Sequence, residues 1–292
     1  MLDLSIIILS FKSKDHLAVL LPSIFASEGV NFNNSADGYS AEVIVVDNGS
    51  GDGTIQWLQA TSYKLQAIQN INNGFAAGNN IGIKRATGKY ILLLNPDTKV
   101  GPETFKTMLD FMESRPDVGI SGCKLIKANG ELDLACRRRF PNPWNSFKRL
   151  FLKDNRDYNY SNVDENQSME VDSVVGAFLL IQKSVIDKIG LLDESFFMYG
   201  EDLDWCWRCK QAGFKVWYYP KVTAFHYKGE SSKKAPFKML KAFHDSMWIF
   251  YQKRYADSYF FLFNWLIWLG IYSRLSALLV VNLVKRRPIV SK

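Results

Sequence analysis

Hydrophobic residues along the first hundred positions fall in short solid runs separated by polar clusters. The run Leu4–Leu9 is continuous and apolar, the signature of a strand covered on both faces. Lys14–Ala26 has the spacing of a helix. Glu42–Asp47 ("EVIVVD") is a second buried strand and runs into the turn cluster "NGSGDGT" and a short helix through Leu58. Leu65–Gln69 reads as a third strand. "NNGFAAGNNIGIKRA" is a helix reached through Asn73 and Gly74, and "KYILLLNPD" is another buried strand ending in an acid. Strands alternating with helices predict an α/β domain with a mostly parallel sheet.

Beyond Pro102 the pattern predicts a helix to Ser114, a strand at Val118–Ile126, a polar loop at Asn155–Ser168 and a strand at Val171–Gln182. Helices follow at Ser184–Ile189 and Glu201–Ala212. Phe214–Tyr219 and Val222–Tyr227 read as strands turning at Pro220, and Ala235–Tyr255 as a long helix. Tyr259–Val284 is apolar over about the length that crosses a bilayer. Arg274 near its middle argues against a simple span, since a charge there costs at least ~2.5 kcal/mol. The reading is a helix in the membrane interface, or a hairpin of two short helices, ahead of the basic "KRR". A core-packed helix pair is the competing account.

The chain has 292 residues, 47% hydrophobic and 22% charged, which is a globular composition. The net charge of +7 suits an anionic membrane or a phosphorylated substrate. The basic residues form no stripe interleaved with stacking aromatics, so nucleic acid is not the expected partner. Cys123, Cys136, Cys206 and Cys209 make no secreted disulfide framework, and the C-x-x-C at 206–209 lacks the second pair a zinc site needs. Buried thiols in a reducing cytoplasm are expected. The start "MLDLSIIILSF" lacks a basic n-region and reads as a strand, not a signal peptide.

In open α/β sheets ligands lie outside the carboxyl ends of the strands, where Asp47 and Asp97 both fall. A carboxylate there suits Mg²⁺ or Mn²⁺, which would hold phosphate oxygens; capping of the next helix is the alternative, and it accounts for Asp52. Gly74, Gly78 and Gly82 recur every four residues, so they line one helix face that packs closely on the sheet. The N-terminal end of that helix, at Asn73 and Gly74, could receive an anionic nucleotide. Three acids, Glu201, Asp202 and Asp204, crowd the segment "FFMYGEDLDWCWR".

"LSIIILSFKSKDHLAVLLPSI", "EVIVVDNGSGDGT", "NNGFAAGNNIGIKRATGKYILLLNPDT", "GAFLLIQK", "FFMYGEDLDWCWRCKQAGFKVWYYP" and "HYKGES" occur in that order. The set resembles the family 2 glycosyltransferases, in particular the bacterial rhamnosyltransferase-like branch, over about residues 2–232. The resemblance implies a GT-A fold, a nucleotide-diphosphate-sugar donor, a divalent metal and inversion at the anomeric carbon. By the same resemblance Ser10 and Asp47 match nucleoside contacts, Asp97 the metal-binding acid, His226 a histidine completing the metal or diphosphate site, and Asp202 the general base. Two departures stand out. The D-x-D element is reduced to Asn95-Pro96-Asp97, and Lys12 replaces the usual Asn after the Ser-Phe pair.

Inverting transfer needs a base for the acceptor hydroxyl and a cation for the leaving diphosphate. Asp202 and Asp97 divide those roles; a glycosidase-like carboxylate pair is the rival use of such acids. Glu201, Trp205 and Arg138 are candidates for the acceptor side, Arg138 through bidentate phosphate binding. Asp204 reads as a helix-start charge. The expectation is a 1–232 transferase domain and a 233–292 membrane-associating segment. The enzyme would act at the inner face of the cell membrane on a saccharide or lipid-linked saccharide in cell-surface polysaccharide assembly. A non-catalytic nucleotide-sugar-binding scaffold and a sugar-phosphate nucleotidyltransferase are the alternatives.

Overall fold

The computed structural model describes residues 2–33, 37–152, 154–227 and 236–284. Ten strands are present among them: β1 (Leu2–Ser10), β2 (Val30–Asn31), β3 (Tyr39–Asp47), β4 (Gln66–Gln69), β5 (Gly88–Leu94), β6 (Thr98–Lys99), β7 (Val118–Ile126), β8 (Met169–Val171), β9 (Phe178–Gln182) and β10 (Lys215–His226). They form one sheet in the order β2-β3-β1-β5-β9-β7-β10-β6, with β4 also on β3 and β8 also on β10. β1 is parallel to both β3 and β5, with Ser10 level with Asp47. β9 runs antiparallel between β5 and β7. The sheet is therefore parallel in its first half and mixed in its second.

The helices are α1 (Lys14–Phe25), α2 (Thr54–Gln59), α3 (Phe75–Arg85), α4 (Thr104–Ser114), α5 (Pro143–Phe151), α6 (Arg156–Asn159), α7 (Lys183–Ile189), α8 (Glu201–Gln211), α9 (Pro236–Arg254) and α10 (Phe261–Val284). The solid runs of β1, β3 and β5 are buried nearly throughout. The glycine face of α3 explains the close approach of that helix. A Cβ on Gly78 would sit 2.5 Å from Leu9 Cδ1, and one on Gly82 2.5 Å from Ile7 Cγ2.

Three expectations change. The single strand expected at Val171–Gln182 is two, β8 and β9, because the backbone between them is diverted to Arg138 and Asp202. Pro220 is not a turn: β10 runs through it, with a register shift between Tyr219 and Thr223 that accommodates the missing N–H. Tyr259–Val284 is not a hairpin of short helices but one 24-residue helix, α10, packed along α9. Its polar interruptions face inward. Asn264 accepts from Tyr251 Oη at 2.6 Å, Arg274 Nη1 lies 2.7 Å from His244 Nε2, and Asn282 is buried. Lys233, Lys234, the "KGES" of the last motif, the 232/233 boundary and the "KRR" tail lie outside the described residues.

The long apolar helix meets the length and composition for crossing a membrane, with only 17% of its most apolar stretch buried. α5, which the hydrophobic pattern did not single out, is capped by a reciprocal Asn142–Asn145 box with Pro143 at its first turn. It exposes Trp144, Phe147 and Phe151.

Candidate active site

One cleft of about 1090 Å³ runs along the carboxyl ends of the strands and is lined by Asp97, Asp133, Arg138, Glu201, Asp202 and His226. One wall of the cleft is made where β1, β3 and α3 meet. Ser10 and Asp47 lie beneath this wall, not on it. Asp47 is 3% exposed and takes the Ser50 N–H at 3.1 Å and the Ser50 hydroxyl, while Ser50 Oγ accepts the Lys12 N–H at 2.7 Å. Asp47 thereby shapes the loop that puts Lys12 in the cleft. The Ser10 hydroxyl is buried without a partner. Asn73 is exposed and receives Asn70 Nδ2 at 3.0 Å. Its neighbour Asn72, which the sequence pattern passed over, faces the cleft instead. Gly74 has φ 103° and no room for a Cβ, which would lie 2.5 Å from the Phe197 carbonyl oxygen. That close approach ties the start of α3 to the segment before α8, through the Phe75 N–H to Phe197 O bond of 2.7 Å.

Asp97 and His226 meet across β6 and β10. Asp97 Oδ1 is 3.4 Å from His226 Nε2, and His226 Nδ1 is 3.0 Å from Asp133 Oδ2. Burial would lower the His226 pKa, but hydrogen bonds to Asp133 and Asp97 raise it to about 9. Burial pushes Asp97 up, yet the histidine brings it below its ordinary value. Asp133 is 93 positions from His226 in the chain, and no spacing rule joins them. The Asp133 carboxylate holding Nδ1 fixes the imidazole with Nε2 facing Asp97. Among the described residues no group of three potential metal ligands occurs. Asp97 and, once its Nε2 proton is lost, His226 are the residues that would hold a divalent cation here.

Another part of the cleft is built on α8. Asp202 Oδ2 accepts from Arg138 Nη2 at 2.8 Å and from the Gly176 N–H at 3.0 Å, and Oδ1 accepts from the Leu203 N–H at 2.7 Å. Arg138 also donates to the Val174 carbonyl at 2.7 Å. It is buried and orients Asp202, so it is not the solvated phosphate ligand that a basic run suggests. Arg137 is buried too and donates to the carbonyls of Asp164 and Val163, whereas Arg139 stacks on Tyr160.

Glu201 lines the cleft with Oε2 buried and unpartnered. Burial, and then the neighbouring Asp202 charge, push its pKa up to about 8. Asp204 is no solvated helix-start charge. It is wholly buried and bridges Arg208 Nε, at 2.8 Å, and Arg254. Trp205, expected on the acceptor side, does not reach the cleft: it is fully buried and donates to the Gly190 carbonyl at 2.9 Å. Trp207 packs on Phe140 and Phe250. All four cysteines are buried free thiols, as expected.

A carboxylate at the cleft over α8, a second one with a histidine at the strand ends, and a mixed sheet that begins parallel define a GT-A glycosyltransferase architecture. The chain matches the family described as "Glycosyl transferase family 2" over residues 5–190, and it belongs to that family. It is 27% identical over 232 residues to the low-salt glycan biosynthesis hexosyltransferase Agl10 of Haloferax volcanii, covering 77% of this chain and 67% of that one. It is 25% identical over 245 residues to the N-acetylglucosaminyl-diphospho-decaprenol L-rhamnosyltransferase of Mycobacterium tuberculosis, covering 73% and 75%. In structure it resembles the mannosyltransferase PcManGT of Pyrobaculum calidifontis, solved with GDP-Man and Mn²⁺. That likeness has a TM-score of 0.57 at 14% identity and covers 98% of this chain and 78% of that one.

Proposed function

We propose that the protein transfers a sugar, with rhamnose the leading assignment, from a nucleotide-diphosphate-sugar to a hydroxyl of a lipid-linked saccharide, with inversion, at the cytoplasmic face of the membrane. The carrying observation is the single cleft with Asp202 at one part and the Asp97–His226 pair at another. Asp202 takes the proton of the acceptor hydroxyl. The hydroxyl oxygen forms the new bond to the anomeric carbon from the face opposite the diphosphate, and the bond to the diphosphate oxygen breaks. Arg138 and the Gly176 N–H hold Asp202 in one orientation before the acceptor arrives.

Asp97 and His226 would hold Mg²⁺ or Mn²⁺, which supplies charge neutralisation for the departing nucleoside diphosphate. The Mn²⁺ in the mannosyltransferase complex supports a divalent metal here. Asp47 shapes the nucleoside end through Ser50 and Lys12, with Ser10 beneath it, and Gly74 sets the N-terminus of α3 toward the donor with Asn72, not Asn73, on the cleft side. Glu201 shapes the acceptor pocket beside Asp202. The rhamnosyl and lipid-linked assignments draw on the relative named as an L-rhamnosyltransferase acting on a diphospho-decaprenol acceptor. The exposed apolar face of α10 supports membrane association.

The test is transfer of radiolabelled sugar from dTDP-rhamnose, and from a panel of other nucleotide sugars, to an organic-extractable fraction of lipid-linked saccharides. Product should carry the inverted anomeric configuration and depend on added Mg²⁺ or Mn²⁺. An Asp202→Asn variant that binds nucleoside diphosphate but still transfers would refute the assignment of the base, whereas wild-type protein that binds nucleotide sugars and transfers none of them would favour the scaffold reading.

A further inference from the structure

The cleft does not end at Asp202. It continues between α5 and α10, where Phe147 and Phe151 line one wall and Leu266 and Ile267 the other. Two arginines, Arg149 from α5 and Arg274 from α10, line the same groove. Burial, and then the nearby charge of Arg149, hold the Arg274 guanidinium below its ordinary value. Arg274 is held by His244 Nε2 at 2.7 Å, and Arg149 lies over the Tyr158 ring at 4.5 Å. Two guanidinium cations thus line one cleft whose walls here are apolar. Guanidinium groups match the oxygen geometry of phosphate. Trp144 and Phe151 on α5, like Phe261 and Trp265 on α10, are exposed, so both helices that wall the groove also present apolar faces to the surroundings.

We propose that this groove seats the lipid diphosphate of the acceptor: the phosphates between Arg149 and Arg274, the hydrocarbon chain between α5 and α10, and the sugar directed to Asp202. The inference rests on the proposed lipid-linked acceptor and adds the place and the side chains that recognise it. An isolated phosphate does not account for the apolar walls, and a plain hydrocarbon does not account for the arginines. A long-chain diphosphate uses both.

The probe is farnesyl diphosphate, titrated calorimetrically into the full-length protein in detergent micelles, with farnesol and inorganic pyrophosphate as the partial ligands. Farnesyl diphosphate should bind tighter than either. Arg149→Gln should weaken it about ten- to a hundred-fold, as loss of charge-assisted hydrogen bonds predicts. Arg274→Lys, which keeps the charge but loses the fork, should weaken it less, and farnesol binding should not respond to either change. Arg149→Gln is the primary variant because Arg274 also supports α9 through His244. Unchanged farnesyl diphosphate affinity in Arg149→Gln overturns the proposal. So does displacement of farnesyl diphosphate by a nucleoside diphosphate, which would put it in the donor site. Reduced sedimentation of Arg149→Gln with phosphatidylglycerol vesicles at unchanged farnesyl diphosphate affinity would assign the arginine to headgroups instead, and also overturns it. If wild-type protein transfers sugar to lipid-linked saccharides and Arg149→Gln does so with the same KM, the groove assignment falls and the transferase reading stands. If wild-type protein transfers to no lipid-linked acceptor, the transferase reading itself falls.

Discussion

Arg138 and Asp202 are 64 positions apart in the chain and form a buried ion pair at 2.8 Å, so the proposed base is gripped by a side chain from a different part of the fold. Removing one partner of such a pair leaves an uncompensated buried charge. Arg138→Met should therefore cost about 3–5 kcal/mol of stability and abolish transfer. Chemical denaturation read beside single-turnover transfer checks this. Retention of wild-type stability would mean that Asp202 does not depend on Arg138.

Glu201 gives a pH signature. Its pKa in the folded chain is about 8, raised by burial and by Asp202, against an unfolded value near 4.5. Folded protein keeps the proton longer than unfolded protein. The contribution is full below about pH 4.5 and is lost as pH rises through about 8. Its slope is at most ~1.4 kcal/mol per pH unit. Thermal melts between pH 6 and 9 should fall with pH, and Glu201→Gln, which cannot ionise, should flatten the curve. A Gln variant with the same slope as wild type would remove Glu201 as its source. Retained transfer in Glu201→Gln with loss in Glu201→Ala would further mark the neutral side chain as the working form.

The α3 glycines offer a packing test. A methyl on Gly78 or Gly82 meets Leu9 or Ile7 at 2.5 Å, so each Ala variant should lose about 1–3 kcal/mol through overpacking. Gly74→Ala should lose more, because its Cβ meets a backbone oxygen and its φ of 103° is one that side chains resist. Urea midpoints order the three, and a Gly74 variant no worse than Gly78→Ala would contradict the close approach to Phe197.

Membrane association is tested on α10. Phe261, Trp265 and Leu269 are exposed, so Ser at all three positions should leave the fold intact. Each loses about 1.5–3 kcal/mol of apolar transfer to a bilayer interface. Co-sedimentation with phosphatidylcholine–phosphatidylglycerol vesicles should drop accordingly. Equal sedimentation of the triple variant would place the contact elsewhere.

Much of the parallel half of the sheet was legible because buried parallel strands are written as solid apolar runs: Leu4–Leu9 and Glu42–Asp47 lie within β1 and β3. The ordered motifs likewise marked Asp97, Asp202 and His226, which the structure brings to one cleft. What stayed hidden depends on pairings remote in sequence. Asp133 has meaning only beside His226, and the Gly176 N–H only beneath Asp202. The basic run Arg137–Arg139 reads as a solvated face by composition, but its first two members satisfy buried carbonyls and a carboxylate. Trp205 lies three positions after Asp202 on α8, yet its indole is taken up by the core and the Gly190 carbonyl, a pairing that helix spacing does not reveal.

The bridge from Asp204 to Arg254 joins α8 to α9, and α9 in turn supports α10. The helix that carries Asp202 and the helix that would rest on the bilayer are therefore parts of one rigid piece. Once α10 settles at the membrane, the height of the proposed base above the lipid is fixed. An acceptor would then be chosen by its reach, the span from its lipid anchor to its reactive hydroxyl, as well as by the sugar it carries.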